Sequence, residues 1–70
     1  MSKPDISFVS PAYRESKNLP VLYDQIKAVM EGLGRTWEWV VVDDHSPDDT
    51  FGVITELARR DERVRGVRLA

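Results

Sequence analysis

The chain has no cysteine. Disulfides, cysteine-based zinc sites and thiol nucleophiles are therefore excluded. It has a single histidine, so a Ser-His-Asp triad would have to use His45. No apolar run approaches the ~20 residues that a membrane-spanning helix needs. The opening "MSKPDISF" lacks the long apolar core of a signal peptide. An excess of positive charge is missing as well: ten Lys and Arg face twelve Asp and Glu, for a net charge of −2. That balance argues against a nucleic-acid partner. A cytoplasmic location is the expectation, with membrane association left open for a longer parent protein. Glycine is absent from "PAYRESKN", the polar stretch after the first apolar segment. A dinucleotide fold needs G-x-G-x-x-G there, so that backbone N–H groups can approach a pyrophosphate. Its absence argues against an NAD enzyme and equally against a P-loop. No D-x-D occurs anywhere.

What is present is a soluble composition, 41% hydrophobic and 31% charged, in 70 residues. A chain of that size buries only about 60% of its unfolded surface, so its stability is marginal. "ISFVS", Ile6 to Ser10, reads as a strand buried on both faces and stopped by Pro11. A helix follows, with Asn18 as N-cap, Pro20 in its first turn, and Gly32 and Gly34 as its stop. Its apolar stripe is Leu19, Leu22, Ile26, Val29, Met30 and Leu33. "WEWVVV", Trp37 to Val42, is a second strand. A second helix is expected from Ser46 to about Arg60, with Phe51, Ile54, Leu57 and Ala58 on its apolar face and Val53 on the flank. Val64 to Ala70 reads as a third strand. The order β-α-β-α-β implies an α/β fold with a parallel three-stranded sheet joined by right-handed crossovers. The chain stops within or just after a strand, so it is expected to be the truncated, N-terminal part of a larger domain.

The stretch "WEWVVVDDHSPDDT" places four carboxylates within seven residues. Ser46 suits an N-cap, Pro47 the N1 position and Asp49 the N3 position, close to a capping box. Asp48 and Asp49 then suit the positive end of a helix and need no other role. Asp43 and Asp44 differ, because they end a strand. In an open parallel sheet, ligands bind outside the carboxyl ends of the strands. The loop after the first strand faces the same crevice and brings Pro11, Tyr13, Arg14 and Glu15. An aromatic ring with carboxylates can stack on a base and accept hydrogen bonds from base N–H and ribose hydroxyls. Tyr13 could equally pack beneath its loop, and Arg14 and Lys17 read as solvated surface. A hard cation wants several oxygens in one compact shell, and adjacent carboxylates point apart, so the cluster reads poorly as a metal site. His45 reads as a loop residue.

"ISFVSPAYRESKNLPVLYDQI" followed by "WEWVVVDDHSPDDTFGVITELA" resembles the start of the family 2 inverting glycosyltransferases with a GT-A fold. Their pattern is P-x-Y-N-E-x-x-N-[LI] after the first strand and V-D-D-x-S-x-D-x-[ST] at the end of the second. "HSPDDT" and "RVRGVRLA" look closest to the polyprenol-phosphate sugar synthases, the dolichol-phosphate mannose synthase-like group. The resemblance implies a Rossmann-like nucleotide-binding part of a GT-A domain spanning residues 1–70. It implies that the donor nucleotide of a UDP- or GDP-sugar meets Pro11, Tyr13, Glu15, Val42 and Asp44. Asp44 would hydrogen-bond the base, and Asp43 would support it. Arg14 stands where Asn is common and Ser16 where Glu is common. In the family, Mg²⁺ or Mn²⁺ on the donor diphosphate is held by a later D-x-D motif, and a later carboxylate serves as general base. Both would lie beyond Ala70, so no catalytic or metal-binding residue is expected in this chain, and no transferase activity from it alone. The acceptor would be a polyprenyl phosphate or another acceptor.

Two other readings stand beside this one. "VVVDDHS" is similar to the acidic pocket of a receiver-type signalling domain phosphorylated on Asp. The register disfavours it, because a full strand and helix precede the acidic pair. The other is a non-catalytic βαβ interaction module. Its unprotected sheet edges would favour self-association.

Overall fold

The computed structural model describes residues 3–69. It runs β1 (Ile6–Ala12), α1 (Leu19–Leu33), β2 (Trp37–Asp43), α2 (Thr50–Arg60) and β3 (Val64–Arg68). The three strands form one parallel sheet in the order β1-β2-β3. The expected α/β order is therefore observed.

Alternation divides the sheet into two unequal faces. Trp37, Trp39, Val41 and Asp43 of β2 are buried on one side. In register with them lie Ile6, Phe8, Ser10 and Ala12 of β1 and Val64, Gly66 and Arg68 of β3. Both helices pack on this side. Leu19 and Met30 of α1 and Ile54 and Leu57 of α2 complete the core around Trp39. The Trp39 indole N–H donates to Ser10 Oγ at 3.0 Å, so the buried ring keeps its polar atom satisfied. Gly66 lets α2 approach closely, since a Cβ there would lie 2.5 Å from Ile54 Cγ2.

The other face is uncovered, and this corrects the expectation for β1. Val9 is 69% exposed rather than buried, because two crossovers in this strand order put both helices on one side. The helix-period stripe of α1 is corrected for a related reason. Leu19 and Met30 are buried and Ile26 is half-buried, but Leu22, Val29 and Leu33 are exposed. The stripe is wider than the surface this sheet offers it.

Several boundaries also differ from the sequence reading, and β2 runs one residue past Val42 to Asp43. Pro11 does not stop β1, which pairs on to Ala12 opposite Asp43. Ile6 N donates to Thr36 O, and Ala12 O accepts from Asp44 N. Even-numbered residues of β1 therefore face β2, and the missing N–H of Pro11 falls on the outer edge. Gly32 lies inside α1. Gly34 alone ends it, with φ 65° and its N–H on Met30 O and Glu31 O. Asn18 holds the N-cap position without a side-chain capping bond. Glu15 O takes the Asn18 and Leu19 N–H groups instead. Finally, α2 begins at Thr50 rather than Ser46, and β3 ends at Arg68, with Ala70 outside the described residues. Among the described residues no helix is long and apolar enough to cross a membrane.

At the end of the sheet away from the two acidic loops, Asp61 gathers a polar cluster. It accepts from Tyr23 Oη at 2.6 Å and from Arg63 Nη2 at 2.8 Å and Nε at 2.9 Å. The Arg63 guanidinium lies 4.3 Å from the centre of the Trp37 ring, a cation–π distance.

Candidate functional site

The carboxyl ends of β1 and β2 are aligned residue for residue. Pro11 is the register partner of Val42, and Ala12 that of Asp43. Pro11 and Val42 stand on the uncovered face, with Val67 of β3 beside Val42. Beyond them the chain leaves the sheet at Tyr13 and Asp44, still joined by the bond from Asp44 N to Ala12 O, 3.1 Å. Tyr13 is 51% exposed and Asp44 is exposed, so ring and carboxylate are both available to a ligand. Pro11, Val42, Tyr13 and Asp44 thus form one rim at the mouth of the sheet. Glu15 sits farther round it. Its carboxylate accepts from Asn18 Nδ2 at 2.9 Å, and its main chain starts α1.

Asp43 does not join this rim. It is fully buried on the helix face, and its Oδ1 accepts from Ser46 N at 3.1 Å and Ser46 Oγ at 2.5 Å. Its Oδ2 has no hydrogen-bond partner, and the half-exposed Arg68 brings Nε to 3.8 Å from it. The acidic pair splits because successive strand residues point to opposite faces. Ser46 likewise is no helix cap but a buried residue spent on Asp43.

The two loops are tied together residue by residue. Arg14 N donates to Ser46 Oγ at 3.1 Å, and Glu15 N donates to Thr50 Oγ1 at 3.0 Å. Ser16 Oγ donates to Asp48 Oδ2 at 3.2 Å. Asp48 Oδ1 also accepts from Thr50 N at 3.2 Å and from the Thr50 hydroxyl. The Thr50 hydroxyl bond holds the Asp48 carboxyl below its ordinary range. Asp49, at the N-cap position of α2, makes no side-chain capping bond. Sequence reasoning missed Ser46, Asp48 and Thr50 as loop-to-loop residues. Their spacing fits a helix start equally well, and their partners lie 32 to 35 positions away.

Both loops turn through left-handed residues that are not glycine, Arg14 at φ 56° and His45 at φ 53°. Such conformations persist where surrounding bonds hold them. The Arg14 guanidinium lies 5.5 Å from the Tyr13 ring centre, on the exposed side of the loop. A divalent ion fits poorly among these residues. Among the described residues no three His, Cys, Asp or Glu side chains converge. The buried Asp43 and the exposed Asp48 are already engaged by Ser46 and Thr50.

The chain is 37% identical over 59 residues to an undecaprenyl-phosphate 4-deoxy-4-formamido-L-arabinose transferase of Pectobacterium carotovorum, covering 84% of this chain and 18% of that protein. It is 36% identical over 64 residues to a dolichyl-phosphate beta-glucosyltransferase of Trichomonas vaginalis, covering 84% of this chain and 19% of that protein. A Klebsiella pneumoniae transferase of the first kind is 40% identical over 53 residues. The chain spans about a fifth of the length of these relatives. Residues 7–70 match the profile named Glycosyl transferase family 2. The receiver-like and interaction-module readings give way to this match: the chain belongs to glycosyl transferase family 2.

Proposed function

We propose that this chain supplies part of the donor-nucleotide subsite of an enzyme that transfers a sugar from a nucleotide-diphosphate donor to a polyprenyl phosphate. The observation that supports it most is the rim of exposed Pro11, Tyr13 and Asp44 with half-buried Val42, at the carboxyl end of a parallel sheet. The acceptor class rests on the relatives, which are named for undecaprenyl phosphate and dolichyl phosphate.

In this reading the Tyr13 ring stacks on the base, and stacking of this kind contributes about 1–3 kcal/mol per base. The Asp44 carboxylate accepts from a base N–H, while Pro11 and Val42 form the apolar floor that excludes water beneath it. Glu15 keeps its carboxylate on Asn18 and faces the ribose side of the rim. A divalent cation on the donor diphosphate would neutralise the departing charge. This chain's residues do not fit that ion, so the chain's own part is to hold and orient the nucleoside. Transferase activity belongs to a longer protein, working where its lipid-linked acceptor is presented.

The test is a titration of UDP and of GDP into the isotope-labelled chain, followed by backbone amide shifts. Saturable shifts at Tyr13, Glu15 and Asp44 are expected. They should weaken about tenfold or more in Asp44→Ala, in line with the loss of a hydrogen bond to a charged acceptor. Absence of any shift at millimolar concentration of both nucleotides would remove the reading.

A further inference from the structure

The polarity of the bonds between the two loops goes beyond simple contact. A carboxylate only accepts, and a hydroxyl has one proton to give and two lone pairs. Asp43 Oδ1 takes both the N–H and the O–H of Ser46. The Ser46 oxygen is thereby committed to accepting, and what it accepts is the Arg14 N–H. Asp48 Oδ1 takes both the N–H and the O–H of Thr50 in the same way. The Thr50 oxygen then accepts the Glu15 N–H. Two carboxylate–hydroxyl relays end on consecutive amides of the first loop. Both hydroxyl residues are buried, Ser46 at 4% and Thr50 at 0% exposure, so water does not compete for them.

We propose that Asp43 with Ser46, and Asp48 with Thr50, are positioning relays that fix the Tyr13–Glu15 backbone against Asp44 and so set nucleotide affinity. This rests on the nucleotide reading above. The relays fix two successive peptide planes, those before and after Arg14, around a backbone that an arginine does not otherwise favour. The peptide plane before Arg14 carries the Tyr13 carbonyl, so it sets where that ring emerges. On the other side, Asp44 is held through its own N–H to Ala12 O and follows directly on Asp43. Ring and carboxylate are thereby indexed to one another. Tyr13 and Arg14 are exposed and add nothing to the apolar core. Cutting a relay therefore loosens the ligand rim while the core around Trp39 keeps its packing.

The experiment compares wild type with Ser46→Ala, Thr50→Val and Asp48→Ala, and with the hydroxyl-retaining Ser46→Thr and Thr50→Ser. Amide hydrogen exchange and UDP or GDP affinity are read in the same labelled samples. Asp48 is exposed, so its variant keeps the fold even where a buried substitution does not. In Ser46→Ala the Arg14 amide should exchange at least tenfold faster, and in Thr50→Val and Asp48→Ala the Glu15 amide should do so. Nucleotide affinity should fall about tenfold in each, on the scale of one lost hydrogen bond. Trp39 and Val41 amides should stay protected, and the hydroxyl-retaining variants should recover most of the affinity. Unchanged affinity in Asp48→Ala, or equal loosening of loop and core amides, would overturn the proposal. A wild-type chain that binds neither nucleotide would instead overturn the reading on which it rests.

Discussion

Arg14 has a left-handed backbone that costs an L-residue roughly 1–2 kcal/mol and that asparagine adopts more readily. The family pattern carries Asn at this place, so the departure has a physical meaning. Arg14→Asn should raise stability by about 0.5–1 kcal/mol, after losing a surface cation–π contact worth about 0.5 kcal/mol. A urea unfolding midpoint that does not rise would contradict this. Asp61 gives the clearest pH signature. The Arg63 hydrogen bonds, assisted by Tyr23, hold its carboxyl well below the ordinary carboxylate range. A group depressed in the folded state contributes stability above its unfolded pKa of about 3.9 and loses it as pH falls toward the folded value. Asp61→Asn should therefore destabilise the chain at pH 6 and flatten the decline below about pH 4, as followed by urea midpoints across pH. Tyr23 shows the opposite sign: its hydrogen bond to Asp61 raises its pKa, so that contribution is complete below pH 10 and fades above it.

At the scale of elements, what was legible in sequence was what is local. The helix α1 follows from apolar spacing and from Gly34, whose φ of 65° only a residue tolerant of left-handed backbone adopts easily. Strand β2 follows from its β-branched and aromatic run. The start of α2 was not legible, because Ser46 and Asp48 are good capping residues that other partners claim first. The end of β1 was not legible either, since Pro11 stops a strand only when its nitrogen faces a neighbour. For the rim, Tyr13 was legible as part of the loop after the first strand and Asp44 as the end of the second, whereas the burial of Asp43 needed the sheet's register. The packing of α2 on β3 makes its own prediction. Gly66→Ala places a methyl 2.5 Å from Ile54 Cγ2, a methyl on the branched Cβ of a fully buried side chain that has little freedom to turn away. The substitution should cost about 1–3 kcal/mol in a chemical unfolding experiment. A loss below about 0.5 kcal/mol would mean that α2 moves on the sheet.

For the whole molecule, the uncovered face is the dominant fact. Val9 and Val67 lie on it exposed and Val42 half-buried, and Val21, Val29 and Leu33 add apolar surface along α1. Surfaces of this kind associate when nothing covers them. We expect the chain to self-associate with rising concentration, and sedimentation velocity over a hundredfold range should show it. A constant monomer mass would refute that. The outer edge of β1 constrains how any added strand can meet it. Its odd-numbered residues present their backbone groups outward, and the last of them in the strand is Pro11, which has no N–H to give. A strand docking there can take a donated hydrogen from Ser7 and Val9 but none at Pro11. The new ladder is therefore weakened at the step before Tyr13. Proline thus acts as a built-in zipper stop that lets the sheet grow sideways without sealing the rim where the nucleoside would enter.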